Sequence, residues 1–383
     1  MIPRTLFSAE HEEFRKNVRR FLQEEIMPHH EEWEEKNCID RKMWNRAGEL
    51  GMLCMTMPEE YGGAGADRLY SVVFFEEQTR AGASGVGFSL HSDIVANYIN
   101  NFGNKEQKAK WLPKMATGEI VTAVAMSEPA VGTDLQNIKT RAIDMGDHWL
   151  VNGSKTFITN GLLCDMAVVA VKTGPAEEDK GAHSVTLMIM EANSPGFTKG
   201  KPLKKVGMKA QDTCELFFEN VKVPKENVLG GVGMGFMALM KELAWERMII
   251  GIGAISGAEA ALEHTIEYTK NRKVMGKSVA SYQNSRFRLA EMKAEIAIGR
   301  VYIDKCVELV LKGKLGIDDA AAAKYWCSDL LCKVVDQGVQ LHGGYGYMLE
   351  YPIARAYIDC RASRIYGGSN EIMKELIARS MGI

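Results

Sequence analysis

No stretch of this sequence is both long and apolar enough to cross a bilayer, because each apolar run meets a charge or a glycine well short of the ~20 residues that a spanning helix needs. The opening MIPRTLFSAEHEEF leads into an acidic helical pattern and lacks the apolar core of a secretory signal. No stable membrane insertion is expected. Long basic runs are missing as well, and the net charge is −2, which argues against nucleic acid as a partner. The cysteines at 38, 54, 164, 214, 306, 327, 332 and 360 form no CxxC pair and no Cys/His array, so neither a metal site nor a disulfide framework is indicated. They read as reduced thiols. The expected location is the cytoplasm if the chain is bacterial, or the mitochondrial matrix if it is eukaryotic with a transit peptide removed. Also absent are a GxGxxG between strand and helix and a GxxxxGK[ST], which removes the Rossmann and P-loop nucleotide sites from consideration.

What is present falls into three stretches of different hydrophobic period. At 383 residues the chain exceeds what one core usually holds. Residues 1–120 read as helices: Ser8 caps the first, Pro28 ends it, and others fall near 40–51, 68–81, 90–102 and 105–117. Residues 121–232 switch to strand period, with candidates at 121–126, 148–158 (broken by an Asn152-Gly153 turn), 166–171, 183–191 and 213–222. Short Gly/Pro punctuation suggests a compact antiparallel, barrel-like sheet. Residues 233–383 return to long helices at 233–271, 282–312, 317–341 and from about Ser369. The expected class is multidomain α+β in the order α, β, α.

Glu246 breaks this pattern. Leu239, Leu243, Glu246 and Ile250 recur at helical spacing and share a face that should point to a core. A carboxyl in apolar surroundings has a raised pKa and suits a proton acceptor, while a buried ion pair with Arg247 or another basic residue is the plainer reading of the spacing alone. Glycine clusters occur in Gln340-Leu-His-Gly-Gly-Tyr-Gly-Tyr and in Ile365-Tyr-Gly-Gly-Ser-Asn, where free backbone N–H groups can meet an anion. Tight turns are the plainer alternative. The strand ends Ser127-Glu-Pro-Ala-Val-Gly132-Thr133 and Phe157-Ile-Thr159 pair hydroxyls with an aromatic, a set suited to a flat heteroaromatic ring, although each alone is an ordinary turn. Arg272 closes a helix with a guanidinium fork suited to a pyrophosphate, although a helix C-terminus favours a cation in any case.

PEEYGGAG, AMSEPAVGTDL, WLVNGSKTFITNG, GMKAQDTCELFFENVKVPKENVLG, NRKVMGK, QLHGGYGY and RIYGGSNEIMKELIAR together resemble the signatures of the acyl-CoA dehydrogenase family, in the family's order and along nearly the whole chain. The resemblance implies an N-terminal helical domain, a middle β domain and a C-terminal four-helix bundle. It further implies FAD between the last two and a homotetramer built as a dimer of dimers. It sets Val124, Met126, Ser127, Gly132, Thr133, Phe157 and Thr159 along the flavin, with Thr133 also near the acyl-CoA. Arg272 and Gln283 are implied to reach the FAD from a neighbouring subunit, and Gln340, Gly344, Ser369 and Glu371 match further FAD-contact positions. Tyr366 and Gly367 resemble the thioester-binding turn, the Gly367 N–H meeting the carbonyl, and Arg247 borders the substrate.

One departure bears on mechanism. Short- and medium-chain members carry the catalytic Glu directly after the Tyr of the last motif, but here Tyr366 is followed by Gly367. Long-chain and isovaleryl members carry it in a Glu-Arg pair on the first long bundle helix, which Glu246-Arg247 resembles. The overall resemblance is closer to the long-chain branch, and Gly85, Gly87 and Ser89 would permit a deep pocket. The expectation is α,β-dehydrogenation of a medium- or long-chain acyl-CoA with electrons passed to electron transfer flavoprotein. Branched substrates of the citronellyl-CoA or isovaleryl-CoA type stay open, as do a flavin oxidase or monooxygenase and a non-catalytic binding protein on the same fold.

Overall fold

The computed structural model describes residues 2–383. Ser8 caps α1 (Ala9–Phe21), its hydroxyl accepting from the His11 N–H while the His11 ring accepts from the Ser8 N–H, so two otherwise orphaned donors are satisfied. The chain does not stop at Pro28. It continues through one π-turn and one 3₁₀ turn, Leu22–Ile26 and Met27–His29, into α2 (His30–Lys36), because a proline in a first turn has no N–H to lose. Then follow α3 (Lys42–Glu49), α4 (Arg68–Ala81), a π-turn (Leu90–Val95) leading directly into α5 (Ala96–Phe102), and α6 (Lys105–Ala116).

Eight strands make one sheet: β1 (Thr122–Ala125), β2 (Arg141–Asp144), β3 (His148–Thr159), β4 (Met166–Thr173), β5 (Val185–Glu191), β6 (Phe197–Lys199), β7 (Thr213–Pro224) and β8 (Val228–Leu229). Their order is β6-β7-β3-β2-β4-β5-β8, with β1 added on β4. The sheet is mixed and has no closed barrel, which corrects the antiparallel expectation. Both β1 and β2 run parallel to β4, at Thr122↔Met166 to Ala125↔Val169 and at Arg141↔Lys172 to Ala142↔Thr173. Local alternation carries no information on strand direction, so the mixture was invisible in the sequence. Asn152-Gly153 is likewise not a turn. The β3–β7 ladder runs past it with a register shift between Val151 and Gly153, and the Asn152 amide donates to Asn220 Oδ1 at 3.1 Å.

The C-terminal part holds α7 (Gly235–Asn271), a small ribbon of β9 (Lys273–Val274) and β10 (Lys277–Ser278), α8 (Gln283–Leu311), α9 (Ile317–His342), α10 (Pro352–Asp359) and α11 (Asn370–Ser380). One apolar cluster joins α1, α3 and α4 to α7, α8 and α9; a second joins α5, α6 and the start of α7 to one face of the sheet. Helix α7 thus packs on the N-terminal helices, on the sheet and on the rest of the bundle. The N-terminal helices are also locked to the bundle by charge. Glu76 of α4, 2% exposed, accepts from Arg300 of α8, Arg4 and Arg15, each at 2.8 Å. Burial works against its charge, but the three guanidinium groups hold its pKa down at about 2. Among the described residues no helix is long and apolar enough to cross a membrane.

Replacing Glu76 with Gln removes the carboxylate shared by the three arginines, although Arg300 keeps Glu259, Arg4 keeps Asp304 and Arg15 keeps Glu77; the lowered Glu76 pKa implies a loss of about 3 kcal/mol at pH 7 in urea unfolding. The lowered pKa makes the wild-type carboxylate stabilising above about 4.5 and progressively less so as pH falls towards 2. The gap between wild type and E76Q should therefore close over that acidic range.

Candidate active site

The start of α7 carries two carboxylates on its inner face. Glu242 and Glu246 are one helical turn apart, 6% and 8% exposed, and each meets a donor from α5. The Tyr98 hydroxyl donates to Glu246 Oε1 and the Asn101 amide to Glu242 Oε1, both at 2.8 Å. Burial raises the Glu246 pKa from 4.5 to about 7; the Tyr98 hydrogen bond opposes that rise, the Glu242 charge adds to it, and Arg247 opposes it weakly. Salt-bridge pairing with Arg247, the plainer reading of the sequence, is not what holds this side chain. Arg247 is itself buried, and its Nε has no hydrogen-bond partner among the described residues.

Gly367 faces this helix one turn further on. A Cβ at Gly367 would come within 2.4 Å of Ile250 Cδ1, and its φ of +67° belongs to the left-handed region. Both facts require glycine there. The turn is fixed from α9: Lys324, 0% exposed, donates to the Gly368 carbonyl at 2.8 Å and to Asn370 Oδ1 at 2.7 Å. Tyr366 and Ser369 flank it, and Glu371 lies exposed in the first turn of α11. Among the described residues no backbone acceptor is bonded to the Gly367 N–H, which leaves that donor open to a ligand.

The strand ends are organised by a lysine that sequence reasoning passed over. Lys155, 0% exposed, donates to the Met126 carbonyl at 2.9 Å and to Glu128 Oε1 at 2.8 Å, while Glu128 also accepts from the Thr140 N–H at 2.9 Å. The Thr156 N–H donates to the Ser127 carbonyl at 3.0 Å. Val124 and Met126 pack, half-buried, on the cluster that contains Tyr98 and Leu239. Gly132 and Thr133 are exposed just beyond the Glu128–Val131 bridge. A second register shift in β3, between Lys155 and Ile158, turns Phe157 out to 71% exposure at φ +59°, with Thr159 half-buried beside it. An exposed aromatic on strained backbone has no packing role in this chain and fits a ligand face. Together with the open Gly367 N–H and the orphaned Arg247 Nε, these residues suit a flat polar ring system.

Four other predicted residues lie elsewhere. Arg272 sits at the far end of α7, about 39 Å along the helix from Glu246 at 1.5 Å per residue. Its guanidinium is 5.4 Å from the Tyr345 ring, and Tyr268 stacks on His342 at 4.1 Å, so the Gly343–Tyr347 turn is bound to that end. Gln283 begins α8 next to Tyr282, whose hydroxyl donates to the Val274 carbonyl. Gln340 and Gly344 belong to this same far cluster. Packing and hydrogen bonds connect Val124, Met126, Glu246 and Gly367 through Tyr98, Leu239 and Ile250, with Ser127 at the Met126 strand end and Phe157 and Thr159 on the neighbouring β3; Arg272, Gln283, Gln340 and Gly344 lie towards the other end of α7. The glycines read as pocket-forming are filled by neighbours: a Cβ at Gly85 would meet Ala210 Cβ at 2.6 Å and one at Gly87 would meet Asn160 Oδ1 at 1.9 Å. Tyr98 carried one available signal, a hydroxyl on an apolar helix face.

Family models of the acyl-CoA dehydrogenase N-terminal, middle and C-terminal domains match residues 8–119, 123–221 and 233–382. The chain belongs to the acyl-CoA dehydrogenase family. It is 48% identical to the mitochondrial long-chain specific acyl-CoA dehydrogenase of Mus musculus over 378 residues, covering 99% of this chain and 88% of that one. It is 35% identical to the mitochondrial isovaleryl-CoA dehydrogenase of Pongo abelii over 376 residues, 97% and 89% of the two chains. A crystal structure of acyl-CoA dehydrogenase from Geobacillus kaustophilus superposes with a TM-score of 0.97 at 47% identity, covering 100% of both. The structure of a Bacillus anthracis acyl-CoA dehydrogenase complexed with FAD gives a TM-score of 0.91 at 33% identity, covering 98% of this chain and 67% of that one.

Two expectations follow from this geometry. Because the folded Glu246 pKa lies above its unfolded value, ionisation opposes folding as pH rises from 4.5 towards 7; E246Q should be more stable than wild type by about 3 kcal/mol at pH 8 and nearly equal to it at pH 4.5, in thermal or urea unfolding. Gly367→Ala should cost about 1–3 kcal/mol in urea unfolding through its positive φ, with a further loss from the clash with Ile250 Cδ1 that Ile250→Val in the same chain should relieve.

Proposed function

We propose that this chain is an FAD-dependent acyl-CoA dehydrogenase that oxidises a medium- or long-chain fatty acyl-CoA to the trans-2-enoyl-CoA in β-oxidation. Electron transfer flavoprotein is its electron acceptor. The observation that carries the proposal is Glu246: a buried carboxyl with its pKa near 7, one helical turn from the residue that packs on Gly367. FAD, when bound, supplies the acceptor for the β-hydrogen and its electron pair. The Gly367 N–H donates to the thioester carbonyl, stabilises the charge that develops there and acidifies the α C–H. Glu246 takes the α-proton on its carboxylate. Displacement of water by the acyl chain raises the pKa of that carboxylate further and strengthens it as a base. Phe157 covers a ring face, and Ser127 and Thr159 donate to its polar edge.

The far cluster supports a shared site. Arg272, with its cationic fork, and Gln283, Gln340 and Gly344 lie too far along the bundle to serve the Glu246 region of their own chain, so they complete the FAD site of a second copy. A homotetramer built as a dimer of dimers accommodates this exchange.

The greater likeness to the long-chain relative supports a straight-chain substrate. One observation favours a second reading, a branched acyl-CoA of the citronellyl or isovaleryl type: the space beside Gly85 and Gly87 is taken by Ala210 and Asn160 and adds no depth. Anaerobic titration with saturated acyl-CoAs of four to eighteen carbons, isovaleryl-CoA and citronellyl-CoA, following flavin absorbance, separates the two. Bleaching is expected with the longer straight chains in wild type and not in E246Q; bleaching by the branched thioesters alone moves the assignment, and equal bleaching in E246Q removes Glu246 as the base.

A further inference from the structure

Tyr98 is the one hydrogen-bond donor on Glu246 among the described residues, and it occupies one oxygen only. The phenol is 0% exposed on α5, two helices away in sequence and held by Val95, Ile99 and Leu239 in the same apolar cluster. Burial and the adjacent carboxylate both raise the Tyr98 pKa, so the phenol stays protonated at any working pH. The direction of the bond is therefore fixed: Tyr98 donates and Glu246 accepts. Three residues on, Asn101 grips Glu242 in the same way, so α5 assigns one donor to each of two neighbouring carboxylates on α7. The charged and titratable groups facing Glu246 are Tyr98 from α5 and Glu242 and Arg247 from α7, with Lys324 of α9 behind Arg247.

We propose that Tyr98 is the positioning residue of the base: it pins Glu246 Oε1 in one rotamer and thereby assigns the α-proton to Oε2, while Asn101 holds the competing Glu242 carboxylate apart. The inference rests on Glu246 being the base. A buried carboxylate on a flexible two-carbon stem otherwise turns between several orientations, and a misplacement of about 1 Å is enough to slow the transfer about hundredfold. The hydrogen bond also favours the ionised form that must accept the proton.

The test uses the FAD-loaded enzyme and a thioester whose β-carbon is replaced by sulfur. It has no β-hydrogen to lose, so exchange of its α-hydrogens with D₂O reads the base alone. In Tyr98→Phe the exchange rate should fall about ten- to hundredfold at its plateau, with thioester affinity unchanged. Its acidic limb should move up by about one to two pH units, because the bond that favoured the carboxylate is gone. A ring-fluorinated tyrosine at position 98 keeps the shape and strengthens the donor, and should move the limb down. A Y98F enzyme with the wild-type plateau and limb, or a fluorinated enzyme whose limb does not move, overturns the role of Tyr98 while leaving Glu246 in place. Undiminished exchange in E246Q overturns the base assignment itself, and the two failures are thus distinct.

Discussion

The architecture turns on a carboxyl kept dry on a helix that touches every other part of the molecule. Helix α7 meets the N-terminal helices through one apolar cluster, the sheet through another, and α8, α9 and α10 in the bundle. Glu246 sits near its start, where these layers converge. Burial of an ionisable group at such a place costs stability, and the fold compensates with a single phenol from α5 in place of a full ion pair. That arrangement leaves the carboxyl able to take and release a proton near neutral pH, which a tight pairing with Arg247 would prevent.

The surroundings are rigid for reasons that lie outside the site. The strand end at Met126–Glu128 is held by the buried Lys155, and the Tyr366–Gly368 turn by the buried Lys324. Both ammonium groups spend their hydrogen bonds on backbone carbonyls and on Glu128 or Asn370. Each side of the site is thus anchored by a positive charge with little freedom to move, and the elements they anchor belong to different parts of the chain. Glu76 and its three arginines perform a related task between α4 and α8, fixing the N-terminal helices against the bundle.

Much of this was legible in the residues because it is local. The Ser8 cap, α4 at Arg68–Ala81 and the three long bundle helices follow from capping and 3.6-residue periodicity. The anomaly at Glu246 was visible for the same reason. What the sequence concealed is long-range: that β1 and β2 both run along β4, that Asn152-Gly153 is a bulge inside one strand, that α10 exists between two turn-like motifs, and that Gly85 and Gly87 admit Ala210 and Asn160 instead of a ligand. Lys155 and Tyr98 gave weak signals, since their partners are 27 and 148 residues away.

The separation of Arg272 from Glu246 along α7 has a genetic consequence. Under the proposed sharing, each copy carries two halves that it cannot use on itself, and a defect in either half is felt in a different place. A chain impaired at Glu246 and another impaired at Arg272, assembled together, bring both sound halves to one of their two sites and both faulty halves to the other. Two inactive alleles of this kind would complement each other inside one assembly, whereas two alleles damaged in the same half would not.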